Sequence, residues 1–324
     1  MFEPAYRAVV SALPPSIARI GGYHIGWWDA AGNPTQLGGK AFRPALVLTT
    51  AAAMTDGGPG DAMERAIAAA VAIEMVHDFS LLHDDVMDGD RTRRHRAAAW
   101  AQFGLGPAIL TGDMFLTAAT DLLASKDIDD ARILTRALCA LCEGQTEDLS
   151  FETQTTVALS DCVHMVEGKT SALLSAACEL GARAAGTSTD QAALMHAYGF
   201  QLGMAFQLVD DLLGIWGDPQ RTGKPVYSDL VRRKKSLPVV AAMNSGTPAG
   251  AELQRRYADP APLEPSEPAH LARLIELSGS KQWAENTARE SCSEAGRLLR
   301  QAHPRPEAAA DLRTLADLIT RREY

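Results

Sequence analysis

The segment VAIEMVHDFSLLHDDVMDGD, residues 71–90, runs apolar at helical spacing and then meets carboxylates at Asp84, Asp85, Asp88 and Asp90. The pattern returns in QLGMAFQLVDDLLGIWGD, residues 201–218, where Asp210 and Asp211 close a second long apolar run. Long apolar helices that end in acid constrain the fold more than any other feature of the chain. Helices apolar on most faces must pack against other helices. Unpaired carboxylates cannot follow them into a core, because each costs on the order of several kcal/mol to desolvate. Acid in the C-terminal half of a helix also opposes the macrodipole. Either both acidic ends are solvated or they hold a cation.

The rest of the chain keeps to the same helical period. KAFRPALVLTTAAAM, GPAILTGDMFLTAATDLLAS, DDARILTRALCALCEGQTEDLS and SKQWAENTARESCSEAGRLLRQA all read as helices. Alanine is abundant, which favours helix and close helix packing, and β-branched runs are scarce. The expectation is an all-α protein forming one domain over residues 1–324. TDGGPGD (55–61) is a loop, and the proline-rich stretch 244–270 reads as a surface connection with a short helix inside it. The net charge of −9 argues against nucleic acid as a partner. Five cysteines, an odd number, suit a reducing compartment. Cys139 and Cys142 have metal-like spacing without a second pair, so they are expected to be buried thiols. The N-terminus lacks a leader pattern and no run approaches a membrane span, so a soluble cytoplasmic protein without integral membrane association is expected.

On a helix, His77, Ser80, Leu81, Asp84 and Asp88 fall on one stripe. Asp84 and Asp88, at i and i+4, can grip one ligand. One such pair alone has two readings, a solvated end or a divalent cation site. A second cluster far along the chain, also set against the dipole, favours the cation. Oxygen-only donors point to Mg²⁺ shared with substrate phosphates, and the lack of matching His or Cys argues against zinc or copper. Basic residues supply the complement: Lys40 and Arg43, Arg93 and Arg94, Lys169 beside Thr170, and Lys224 and Lys234. Arginine forks suit diphosphate oxygens and lysine adds point charge. No glycine-rich P-loop precedes a GK pair, so nucleotide hydrolysis is set aside.

These segments, in this order, resemble the trans-isoprenyl diphosphate synthases, the polyprenyl synthetase family. GGKAFRP, EMVHDFSLLHDDVMD, RTRRHR, LTGDMFLTAA, CEGQTEDLS, VEGKTSALLSAACELGA, LGMAFQLVDDLLGIWGD and GKPVYSDLVRRKKSLPVV carry the likeness from about Gly38 to the C-terminal helices. The resemblance implies an isoprenoid-synthase helical bundle around a deep central cavity. It implies Mg²⁺-assisted loss of diphosphate from an allylic substrate and attack by isopentenyl diphosphate on the resulting carbocation. By the same resemblance Asp84, Asp88 and Asp210 hold Mg²⁺, three ions with substrate bound, with Asp85 and Asp211 nearby. Arg93, Lys169, Gln207, Lys224 and Lys234 face the allylic diphosphate. Lys169 and Thr170 border the carbocation, and Lys40, Arg43, His77 and Arg94 hold isopentenyl diphosphate. A homodimer is expected on the same ground.

Two positions depart from the family pattern. Gly214 stands where the second motif usually ends in aspartate, so one carboxylate is missing there. Ala97 and Ala98 replace a usual Pro-Thr, which should loosen that loop. Phe79, five residues before Asp84 and therefore about 7.5 Å down the helix, resembles the position that floors the product cavity, with Ser80 beside it. An aromatic floor implies a short product, geranylgeranyl diphosphate first and farnesyl diphosphate next. Phe79 could instead simply pack against a neighbouring helix. A class I terpene cyclase would need no second diphosphate pocket, and a non-catalytic partner subunit should have lost the first acidic cluster.

Overall fold

The computed structural model describes residues 1–35, 41–55, 61–219 and 226–320. Among the described residues it is mostly helical, with one short hairpin of two two-residue strands, and it divides into two compact units: 1–138 with 176–192, and 139–175 with 193–324. In the first unit α1 (Phe2–Ser11), α2 (Pro15–Ile25) and α3 (Phe42–Met54) surround α4 (Asp61–Met87). The hairpin strands β1 (Thr92–Arg93) and β2 (Arg96–Ala97) follow, then α5 (Ala99–Phe103) and α6 (Leu105–Ala124). The long α7 (Ile128–Thr153) begins in this unit.

Helix α4 is the axis of the first unit. Its alanines between Ala66 and Ala72 are buried, and α3 and α6 pack along the helix. Ile73, Met75, Val76 and Leu82 are at most 1 % exposed, each burial being worth about 1.5–3 kcal/mol. By length and composition α4 could cross a membrane, contrary to the expectation that no run would qualify. Yet 67 % of its most apolar window is buried inside the protein, and core helices of this kind pass the same test.

The second unit holds the rest of α7, then α8 (Leu159–Val166), a π-helical turn (Glu167–Ser171) and α9 (Ala172–Ala184), of which the later part lies in the first unit. It continues with most of α10 (Thr189–Trp216), α11 (Ser228–Val231), α12 (Leu237–Met243), α13 (Pro248–Ala258), α14 (Glu267–Leu277), α15 (Ser280–Gln301) and α16 (Pro306–Thr320). One of its apolar cores gathers Cys162, Met165, Leu208, Leu212, Leu237 and Val240 from α8, α10 and α12.

The cysteine pair corrects another expectation. Cys139 and Cys142 are exposed. The helical period turns Leu134, Ala137 and Leu141 inward, and residues 139 and 142 share the opposite face.

Candidate active site

In the first unit the end of α4 sorts its aspartates by environment. Asp85 is 2 % exposed, Asp84 is half-buried and Asp88 is exposed. The buried member is bound to Arg93 on β1: Nε donates at 2.8 Å to both carboxylate oxygens, and Nη2 lies 2.7 Å from Oδ1. Burial works to lower the Arg93 pKa, but the bonds to Asp85 carry it above its ordinary value. Asp85 therefore holds Arg93 in place. The hairpin turn places Arg94 and His95 at φ of 50° and 63°, a left-handed pair unusual without glycine. Arg94 Nη1 donates to the Ile25 carbonyl at 3.0 Å. The segment with the two alanines is held in place: Tyr23 Oη donates to the Ala97 carbonyl at 2.8 Å, and Ala98 N to the Arg91 carbonyl at 2.9 Å.

Behind this edge lies a buried charge cluster. Arg43, in the first turn of α3, has no partner for its Nε among the described residues, and burial depresses its pKa against the pull of Glu74 and Asp78. Burial also drives His77 well below the usual imidazole value, reinforced by Arg43, so the ring is neutral. Burial would raise Asp78, but the His24 contact and the Tyr6 hydrogen bond bring it down. Tyr6 Oη donates to Asp78 Oδ2 at 2.7 Å, and His24 Nε2 lies 3.5 Å from Oδ1. Glu74 is pushed up, first by burial and then by Asp78, with Arg43 and Arg94 opposing.

Phe79 is 7 % exposed and meets the His83 ring at 4.7 Å between centroids. His83 Nε2 donates to the Ile109 carbonyl at 3.0 Å. The pair is seated on α6 at Gly112, where a Cβ would lie 2.4 Å from His83 Nε2 and 3.3 Å from Phe79 Cδ2. Ser80 Oγ donates to the His77 carbonyl at 2.7 Å, within its own helix.

In the second unit, Lys169 and Thr170 stand on the π turn, a distortion that recurs at functional sites. Its backbone is pressed on α7: a Cβ on Gly144 would sit 2.4 Å from Lys169 N, and one on Gly168 would sit 2.5 Å from the Ala140 carbonyl. The Lys169 ammonium bonds Asp148 of α7. Thr170 Oγ1 donates to Gln207 Oε1 at 2.7 Å, and Gln207 Nε2 donates to Asp211 Oδ1 at 2.8 Å. Leu237 N donates to Asp211 Oδ2 at 2.9 Å. Asp211, 2 % exposed, thus has both oxygens committed, and burial lifts its pKa to about 6. Asp210 beside it is half-buried. Burial would lower the Lys234 pKa, yet Asp211, Asp229, Asp148 and Asp210 together raise it above the usual lysine value.

The two Asp-Asp pairs are therefore built alike. The second member is buried and bound by protein donors, and the first is half-buried. Asp84 and Asp88 in one unit, and Asp210 in the other, are hard oxygen donors of the kind Mg²⁺ takes. Among the described residues no group of three or more His, Cys, Asp or Glu is already gathered around one point. The charge surplus around Lys234 nonetheless suits a cation. Lys40 and Lys224 lie outside the described residues. Sequence reasoning missed Tyr6, His24, Glu74, Asp78, Asp148 and Asp229. Glu74, Asp78, Asp148 and Asp229 at least stood inside segments already singled out; Tyr6 and His24 carried no local signal.

Residues 28–275 match the family model described as polyprenyl synthetase. The chain is 43 % identical to a geranylgeranyl diphosphate synthase of Mycobacterium tuberculosis, over 98 % of this chain and 90 % of that protein. It is 41 % identical to a (2E,6E)-farnesyl diphosphate synthase of Mycobacterium bovis, over 100 % of this chain and 91 % of that one. Among solved structures, a polyprenyl synthetase from Streptomyces coelicolor A3(2) superposes with a TM-score of 0.91 at 40 % identity, covering 98 % of this chain and 96 % of that one.

Proposed function

The chain belongs to the polyprenyl synthetase family, and from that premise we propose how its residues divide the work of a short-chain prenyltransferase. The enzyme joins isopentenyl diphosphate to an allylic diphosphate. The allylic C–O bond breaks, diphosphate departs with the electron pair, the isopentenyl double bond attacks the allylic cation, and loss of a proton restores a double bond. The observation that supports this most directly is the shared plan of the two Asp-Asp pairs, each with a buried second member anchoring the frame and a less buried first member.

Asp84 and Asp88, and Asp210, hold Mg²⁺, three ions with substrate bound. When bound, the metal neutralises charge developing on the leaving diphosphate. Arg93, aimed by Asp85, presents its remaining N–H donors to the allylic diphosphate with Lys169, Gln207, Lys224 and Lys234. Thr170 spends its proton on Gln207, so its oxygen lone pairs are available to a neighbouring cation, and Lys169 borders the same place. Arg43, His77, Arg94 and Lys40 hold isopentenyl diphosphate. Arg43 Nε, without a partner among the described residues, and the neutral His77 suit a diphosphate and its uncharged tail. Phe79, backed by His83, floors the product at geranylgeranyl diphosphate. Family membership also supports a homodimeric cytoplasmic enzyme.

The test is incubation with Mg²⁺, isopentenyl diphosphate and, in turn, dimethylallyl, geranyl and farnesyl diphosphate, followed by extraction. Elongated linear diphosphates are expected. Cyclic hydrocarbons, or no turnover, would replace the reading with a cyclase or an inert partner subunit.

A further inference from the structure

The second aspartate-rich segment lacks a carboxylate at position 214, one turn beyond Asp210 and therefore on the same helical face. Asp84 and Asp88 have that same spacing in the first segment. The space at 214 is filled. A Cβ on Gly214 would lie 2.2 Å from Asp229 Oδ2, 2.5 Å from its Cγ and 2.8 Å from Oδ1. We propose that Asp229 stands in for the carboxylate missing at position 214, in space that the absence of a side chain on Gly214 leaves to it.

The local structure is built to deliver that carboxylate. Tyr227, at φ 64°, turns the chain into α11, and its N–H donates to the Ile215 carbonyl at 3.1 Å. Ser228 Oγ lies 3.2 Å from the Gly214 carbonyl and 3.4 Å from Asp229 Oδ1, pinning α11 against the end of α10. Lys234 N donates to the Asp229 carbonyl at 2.9 Å. The Lys234 side chain lies in the joint field of Asp229, Asp210, Asp211 and Asp148. Asp229 thus adds negative charge on the Asp210 face from a different element. It is a positioning residue for Lys234 and for the cation assigned to Asp210, and the inference rests on that assignment.

The test compares Asp229→Asn, Asp229→Gly, Gly214→Asp, the exchange Gly214→Asp with Asp229→Gly, and Asp210→Asn. Each is read by calorimetric binding of inorganic diphosphate across a Mg²⁺ series, by melting temperature without ligand, and by kcat and KM. Asp229→Asn keeps the shape of the side chain. It should leave the melting temperature in place while raising the Mg²⁺ required about tenfold, the loss typical of an outer partner of a metal site. Gly214→Asp alone should weaken binding by crowding two carboxylates, and the exchange should bind better than Asp229→Gly by restoring a single one. An unchanged Mg²⁺ requirement in Asp229→Asn overturns the proposal, as does an exchange no better than Asp229→Gly. If Asp210→Asn also leaves the requirement unchanged, the magnesium assignment itself falls. If Asp210→Asn shifts it and Asp229→Asn does not, only the role of Asp229 falls.

Discussion

At the scale of single residues, neighbours in sequence do opposite work. Asp211 takes hydrogen bonds from Gln207 Nε2 and Leu237 N, so Asp211→Ala leaves the buried Leu237 N–H and the half-buried Gln207 amide unpaired. That should cost about 1–3 kcal/mol for each group, read as a lower melting temperature. Asp210→Ala should keep its melting temperature and lose turnover. Likewise Asp84→Ala should lower kcat by about 10²–10³, the scale of losing a charge-stabilising group, and retained activity would remove Asp84 from the metal site. Glu74 gives a pH test. Burial, helped by Asp78, raises its pKa to about 8. A carboxyl that holds its proton more tightly folded than unfolded weakens the fold as pH climbs from the ordinary glutamate value, about 4.3, to that point. Asp78 is shifted the other way, and its contribution is lost only in acid below this window. The melting temperature of Glu74→Gln, relative to the unsubstituted protein, should therefore rise across the window. A difference that stays flat with pH would refute the assignment.

At the scale of elements, close helix contacts fix the chemistry-bearing turns. The π turn that carries Lys169 and Thr170 is pressed against α7, so Gly144→Ala would drive a methyl to 2.4 Å from Lys169 N and 2.7 Å from the Met165 carbonyl. Backbone cannot step aside as a side chain does. The expected loss is about 1–3 kcal/mol of stability, together with a lower kcat as Lys169 shifts. Phe79 is gripped between His83 and α6. Phe79→Ala should cost about 3–5 kcal/mol and lengthen the extracted product; an unchanged product would leave Phe79 as packing only.

At the scale of the whole molecule, an anionic protein must bind anionic substrates. The net charge of −9 is offset locally within each unit, by Arg43, Arg93 and Arg94 near the carboxylates of the first and by Lys169 and Lys234 near those of the second. Diphosphate should therefore bind as its magnesium complex. Inorganic diphosphate with Mg²⁺ should raise the melting temperature, by the equivalent of about 2.7 kcal/mol at a hundredfold excess over Kd. Either one alone should raise it far less, and equal shifts would argue against a shared site.

Helical period, alanine content and the i, i+4 spacing of Asp84 and Asp88 are local properties, and a helix expresses them wherever it packs. The sequence alone was therefore enough to establish an all-α chain, the acidic ends of α4 and α10, and the residue types able to meet magnesium and diphosphate. Adjacent aspartates look alike in a sequence, so only the tertiary structure could decide which member of each pair is sealed against Arg93 or Leu237 N. The same holds for Tyr6 reaching Asp78 across 72 positions and for Asp229 filling the space at Gly214. Such pairings depend on how distant helices meet, and short-range spacing carries no record of that.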